Sequence, residues 1–143
     1  MVAVSKILFT KGELLFSITP TTSVYKALEL MMEKNVSALL IIENEQLSGI
    51  FTERDYARKI VLQGKSSKDT QVADIMTRDL ITVTSQSSIE DCMQLMTNKY
   101  IRHLPVVNNN KLVGIISIGD VVRHIIEEQK SIINHMEQYI SRS

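Results

Sequence analysis

The chain is a duplication. Sliding the 143-residue sequence along itself by 65 positions aligns Thr19 through Asp55 with Thr84 through Asp120 without a gap. Eleven of these 37 positions are identical, among them Leu30/Leu95, Lys34/Lys99, Leu47/Leu112 and Gly49/Gly114. Most of the others exchange within a type, as in Val24/Ile89, Val36/Ile101, Ile41/Val106 and Thr52/Ser117. A fixed-period repeat constrains a fold more than any single motif, because each copy must be one supersecondary unit. One copy of roughly 60 residues buries too little surface to be comfortably stable alone. Two copies packed through their apolar faces make a credible single body. The boundaries expected from this are 1–66 and 67–143, with the polar segment 63–70 as linker.

Each copy reads as the same series of α/β elements. A short β-prone stretch comes first, Leu14 to Ile18 and then Leu80 to Val83. In the first copy Val24, Ala27, Leu28 and Met31 recur at three- and four-residue spacing, which predicts a helix with one buried face. Ile89, Cys92, Met93 and Met96 repeat it, and Ser87 with Glu90 reads as the capping box of that second helix. Two paired strands follow, Ala38 to Ile42 and Leu47 to Thr52, then Leu104 to Val107 and Leu112 to Ser117. Polar turns, Glu43 to Gln46 and Asn108 to Lys111, join them. A helix closes each copy, Glu53 to Leu62 and Gly119 onward, and Val72 to Met76 reads as a short helix leading into the second copy. The expected fold is therefore two small sheets packed with helices, plus a long carboxy-terminal helix.

That last helix has no counterpart in the first copy. Val121, Val122, Ile125, Ile126, Ile132, Ile133, Met136, Tyr139 and Ile140 keep helical spacing with no Gly or Pro after Gly119. A helix of roughly 20 residues reaches about 30 Å, past the body of a small domain. Its apolar stripe calls for a second chain more readily than for its own core.

Composition narrows the function. Sixteen basic residues balance sixteen acidic ones, so no nucleic acid or anionic membrane partner is expected. No apolar run approaches a membrane span of about 20 residues, and the amino terminus, broken by Lys6, Lys11 and Glu13, does not read as a signal peptide. A cytoplasmic location is the expectation. The single cysteine, Cys92, excludes an intrachain disulfide. His103, His124 and His135 form no zinc or hydrolase pattern, and no glycine-rich phosphate loop or dinucleotide fingerprint is present. No catalytic role is expected.

The strings Leu47-Ser48-Gly49-Ile50-Phe51-Thr52-Glu53-Arg54-Asp55 and Leu112-Val113-Gly114-Ile115-Ile116-Ser117-Ile118-Gly119-Asp120 resemble the closing signature of a CBS (cystathionine-β-synthase) domain. Asp74-Ile75-Met76-Thr77 followed by Ile81-Thr82-Val83, and Ile101-Arg102-His103-Leu104-Pro105-Val106-Val107, resemble other features of that family. The chain thus resembles a stand-alone tandem CBS pair, or Bateman module. The resemblance implies a pseudo-twofold pair with a cleft on each side, each able to hold an adenosine-containing ligand such as AMP, ADP, ATP, S-adenosylmethionine or NAD. It also implies a homodimer of four repeats and regulation of an unidentified partner protein. The competing reading is a dimerisation scaffold whose clefts are vestigial.

The residue chemistry suits a nucleotide. An ionised carboxylate is acceptor-only and can take both hydroxyls of a ribose, a role open to Asp55 and Asp120. Thr52 and Ser117, three residues earlier, add hydroxyls, and the helix starts that follow add free amides suited to phosphate. The same residues could equally be helix caps. Arg102 and His103 replace Ser37 and Ala38 of the first copy and offer a planar donor fork and a titratable donor. The resemblance extends the candidate set to Thr77, Ile81 and Pro105, and Arg54 is a further phosphate candidate. Where the second copy has Met76-Thr77 the first has Lys11-Gly12. The first copy's adenine edge should therefore differ, with Lys11 either near phosphate or exposed.

Overall fold

The computed structural model describes residues 3–11 and 16–142, the last without its side chain. The fold is mixed α and β, and its chain falls into two compact units that cut across sequence order. One runs from residue 14 to 81 and takes in 110–112; the other joins the chain before residue 14 to 82–109 and to everything from 113 onward.

In the first unit helix α2 (Val24–Lys34) begins at Ser23, whose side chain accepts from the Lys26 amide, and ends on Asn35 in the left-handed conformation. Strands β1 (Ser17–Ile18), β2 (Ala38–Glu43) and β3 (Gln46–Thr52) form a sheet in the order β1-β2-β3. β1 pairs parallel to β2, and β2 pairs antiparallel to β3 with Leu39 opposite Phe51. Asn44 and Glu45 both take positive φ, which gives the tight hairpin a twist that matches its strands. Val24, Ala27 and Met31 of α2 pack with Leu39, Ile41, Phe51, Ile60, Val72, Ile75 and Met76 as the core. The expected helix over 53–62 is α3 (Glu53–Tyr56) continued as a π-turn over Ala57–Val61. A 3-10 turn, Val72–Asp74, stands where a short helix was expected. The linker is not a free tether: Val24 donates to the Thr70 carbonyl and Tyr25 to that of Ser67.

The second unit opens with a helix absent from the sequence reading, α1 (Val4–Lys11), which buries Val4 and Ile7. Its start is pinned by amides of Val4 and Ser5 donating to the carbonyls of Ser87 and Ser85. Helix α4 (Ile89–Lys99) is capped by Ser88 accepting from the Asp91 amide. Ser87, expected to cap it, instead accepts from the Thr84 amide one turn upstream. Strands β4 (His103–Asn108) and β5 (Lys111–Ser117) pair through a hairpin whose Asn109 and Asn110 again take positive φ. The stretch expected as a strand over 80–83 is reduced to an isolated parallel bridge between Val83 and Val106. In the first copy the corresponding Leu14 and Leu15 lie outside the described residues.

Helix α5 (Ile118–Arg142) follows β5 directly for 25 residues. Val121 is fully buried, whereas Ile132, Ile133, Met136, Tyr139 and Ile140 are all exposed in the single chain. No described helix is long and apolar enough to cross a membrane.

Candidate functional site

Each copy ends its second hairpin strand in a Ser or Thr and starts the next helix with an Asp three residues on. In the first unit Thr52 caps α3, accepting from the Asp55 amide at 3.1 Å while Asp55 Oδ2 accepts from the Thr52 amide at 3.0 Å. The Thr52 hydroxyl also donates to Oδ2 at 3.1 Å. Asp55 is the one buried charged side chain among the described residues. Its Oδ1 accepts from Thr77 Oγ1 at 3.0 Å and pairs with Lys59 Nζ at 3.1 Å. The same ammonium donates to the Ile75 carbonyl at 2.9 Å.

The second unit repeats the corner. Ser117 donates its amide to Asp120 Oδ2 at 2.9 Å and accepts from the Asp120 amide at 3.2 Å. The cation comes from elsewhere: Lys11 at the end of α1 reaches Oδ2 at 2.8 Å and also donates to the Ile115 carbonyl at 3.0 Å. Arg123 stands 3.6 Å from Oδ1. Burial by itself raises the Asp120 pKa, but the Lys11 ammonium and the Ser117 amide outweigh it and hold the carboxyl below the usual range. His103, at the start of β4, is pushed down by burial first and by Lys11 second, against the pull of Asp120.

The geometry shows both aspartates in helix-capping corners. The capping hydrogen bonds are made, and each carboxylate is already engaged by an internal cation. Arg102 is exposed, and its carbonyl accepts from the Ile118 amide, as the Ser37 carbonyl accepts from Glu53. Arg102 and His103 belong to the same unit as Asp120. Pro105 is buried, its carbonyl accepting from Val83. Arg54 is exposed in the first turn of α3, and Ile81 is partly buried outside regular structure.

Two placements depart from the sequence offset. Thr77, which the offset gives to the second copy, sits on the first copy's aspartate. Lys11, expected at the first copy's edge, sits on Asp120, while Gly12 lies outside the described residues. The segment preceding each repeat therefore serves the other repeat's aspartate. The repeated glycines make room for it. A Cβ at Gly49 would stand 2.7 Å from Met76 Sδ and 2.9 Å from the Thr77 carbonyl oxygen, and one at Gly114 would stand 2.7 Å from Leu8 Cδ2. Lys59 escaped the sequence reading, although its spacing four residues after Asp55 is a recognisable helical ion-pair signal.

Residues 13–62 and 72–127 each match the family model of the CBS domain. The mitochondrial CBS domain-containing protein CBSX3 of Arabidopsis thaliana is 46% identical over 127 residues, which cover 85% of this chain but 62% of that protein. A solved structure of a protein with CBS domains from Burkholderia ambifaria superposes with a TM-score of 0.83 at 45% identity, covering 88% of this chain and 93% of that one. The CBS domain pair of protein MJ0100, solved in complex with 5-methylthioadenosine and S-adenosylmethionine, superposes with a TM-score of 0.77 at 26% identity and covers 87% of this chain and 99% of its own.

Proposed function

The chain belongs to the CBS domain family, and from that premise we propose that it is a non-catalytic regulatory module that binds an adenosine-containing ligand at one or both aspartate corners. AMP, ADP, ATP and NAD are the ligands in view, and occupancy is passed to a partner protein. The observation that carries the reading is the duplicated corner that sets a hydroxyl, helix-start amides and a carboxylate side by side in each unit, groups whose chemistry suits a phosphate and a ribose. The adenosine compounds held by the MJ0100 pair support the ligand class.

Self-association belongs to the same reading. The apolar face of α5 is exposed along Ile126, Ile132, Ile133, Met136 and Ile140, and contiguous patches of this kind mark interaction surfaces. A homodimer of four repeats covers it.

Ligand that binds only the native state stabilises by mass action, by about 2.7 kcal/mol at 100 times its dissociation constant. AMP, ATP or NAD should therefore raise the melting temperature by several degrees, and guanine or pyrimidine nucleotides less. A flat response to every adenine compound at millimolar concentration favours the second reading, a dimerisation scaffold. That reading draws on the internal donors already filling Asp55.

A further inference from the structure

Helix α5 leaves its own unit part-way along. Val121 is buried and the His124 side chain is only 11% exposed, whereas every residue from Ile126 to Ser141 is exposed in the single chain. A helical run of that length is marginal by itself in water and takes its stability from whatever covers its apolar face. The face opens before the helix leaves the body, because Ile118 and Val122 are already exposed. It has a heptad period. Val122, Gln129 and Met136 stand seven apart, and so do Ile118, Ile125, Ile132 and Tyr139, the two rows interleaving at spacings of three and four. That is the seam of a two-helix coiled coil. The flanks of the seam differ: one carries Ile126 and Ile133, the other Glu128 and His135.

The flanks decide what fits. A parallel second copy sets each flank against the opposite flank of its neighbour. Glu128 then faces Ile133 of the second copy, and Gln129 meets its own counterpart in the seam. An antiparallel copy sets like flank against like flank. With Gln129 opposite Ile132 of the second copy, Val122 meets Tyr139, Ile125 meets Met136 and Ile126 meets Ile133. On the other flank Glu128, 48% exposed in the single chain, meets His135. The twofold axis makes each match twice. Sliding the pair by one heptad either way brings like groups together, Glu128 on Glu128 or His135 on His135. An anionic lipid surface fits less well, since it calls for a basic polar face. On α5 Asp120, Glu127, Glu128 and Glu137 outnumber Arg123, Lys130 and Arg142.

Resting on the self-association reading, we propose that the apolar face of α5 is covered by α5 of a second copy running antiparallel, with Gln129 opposite Ile132, and that the twice-made Glu128–His135 contact sets direction and register. The seam then joins Val122 of each chain to Tyr139 of the other.

Directed cross-linking of the whole chain reads the direction. Val122→Cys and Tyr139→Cys each put a thiol at one end of the seam, on a side chain exposed in the single chain. In an antiparallel pair the two copies of either position lie about 25 Å apart along the axis, far beyond the roughly 7 Å between Cα atoms that a disulfide tolerates. Oxidised alone, neither variant should form a covalent dimer; oxidised as an equimolar mixture they should, each link joining one of each. The parent, whose one cysteine, Cys92, is buried, is the control. Sedimentation equilibrium reads the flank: His135→Glu sets carboxylate against carboxylate and should weaken association about tenfold, and adding Glu128→Lys should restore it. A covalent dimer from either variant alone, at the yield of the mixture, means a parallel pair and overturns the proposal. A dimeric chain that cross-links in no sample has its interface elsewhere, which overturns the proposal and leaves self-association intact. Failure of Glu128→Lys to rescue His135→Glu overturns the register. A parent that stays monomeric at tens of micromolar sinks the self-association reading and the proposal with it.

Discussion

Lys11 of α1 donates to Asp120 of α5 at 2.8 Å, across 109 residues of sequence. The first copy meets the same need differently, with Lys59 four residues after Asp55 at 3.1 Å. By the 65-residue offset, Lys59 corresponds to His124 and Lys11 to Met76. The lysine has changed element between copies while the pairing is kept, as a carboxylate removed from water requires a compensating charge or hydrogen bonds.

The Lys11–Asp120 pair should contribute to stability. Lys11→Met should cost about 1–2 kcal/mol, between an exposed pair and a hydrogen bond to a buried charge. Because the Asp120 pKa is lowered in the folded state, this contribution is present above the ordinary carboxylate range. It is lost as pH falls through the lowered folded value. Urea unfolding at pH 7 and at pH 3 checks it: the gap between parent and variant should be wider at the first than at the second.

Alanine at the two repeated glycines should have unequal effects. At Gly49 the new Cβ meets the Thr77 backbone carbonyl as well as Met76, and overpacking of that kind costs about 1–3 kcal/mol. At Gly114 the clash found among the described residues is with the far end of the Leu8 side chain, which can rotate. Thermal melts should show Gly49→Ala falling by several degrees more than Gly114→Ala.

His103 should give stability a slope near neutrality. Burial and Lys11 lower its pKa from the ordinary 6.5, so the unfolded chain takes up the proton first. Its contribution is complete above that value and declines as pH falls below it. Replacing His103 with Gln should flatten the change in unfolding free energy between pH 7 and pH 5. A parent and variant with parallel profiles would refute the assignment.

Cys92 is fully buried on α4, and burial with help from Asp91 pushes its thiol up to about 11. Since the thiolate is the reactive form, a thiol-specific chromogenic reagent at pH 7.5 should react only at the rate of unfolding and immediately in denaturant.

Charged substitution on the exposed face of α5 should separate association from folding. Ile132→Lys and Met136→Lys alter side chains that are 53% and 62% exposed in the single chain, so the melting profile of the dissociated protein should barely move. Light scattering should report a lower mass for either variant than for the parent at tens of micromolar. Equal masses would remove the helix from the interface.

The duplication, the α2 and α4 helices, both hairpins and α5 are legible in the sequence because each is written within a short window. A three- and four-residue apolar period marks a helix face, and two polar residues between apolar runs mark a tight turn. The two aspartates are legible because they recur at one offset. The window fails where two short-range answers compete, as at Ser87 and Ser88, which lie next to each other and could each cap α4. It fails entirely for α1, which buries Val4 and Ile7 and packs with α5, a partner more than a hundred residues further along the chain. Tertiary structure alone places Thr77 on Asp55 and Lys11 on Asp120, since an ion pair acts over a few ångströms of space and has no period along the chain.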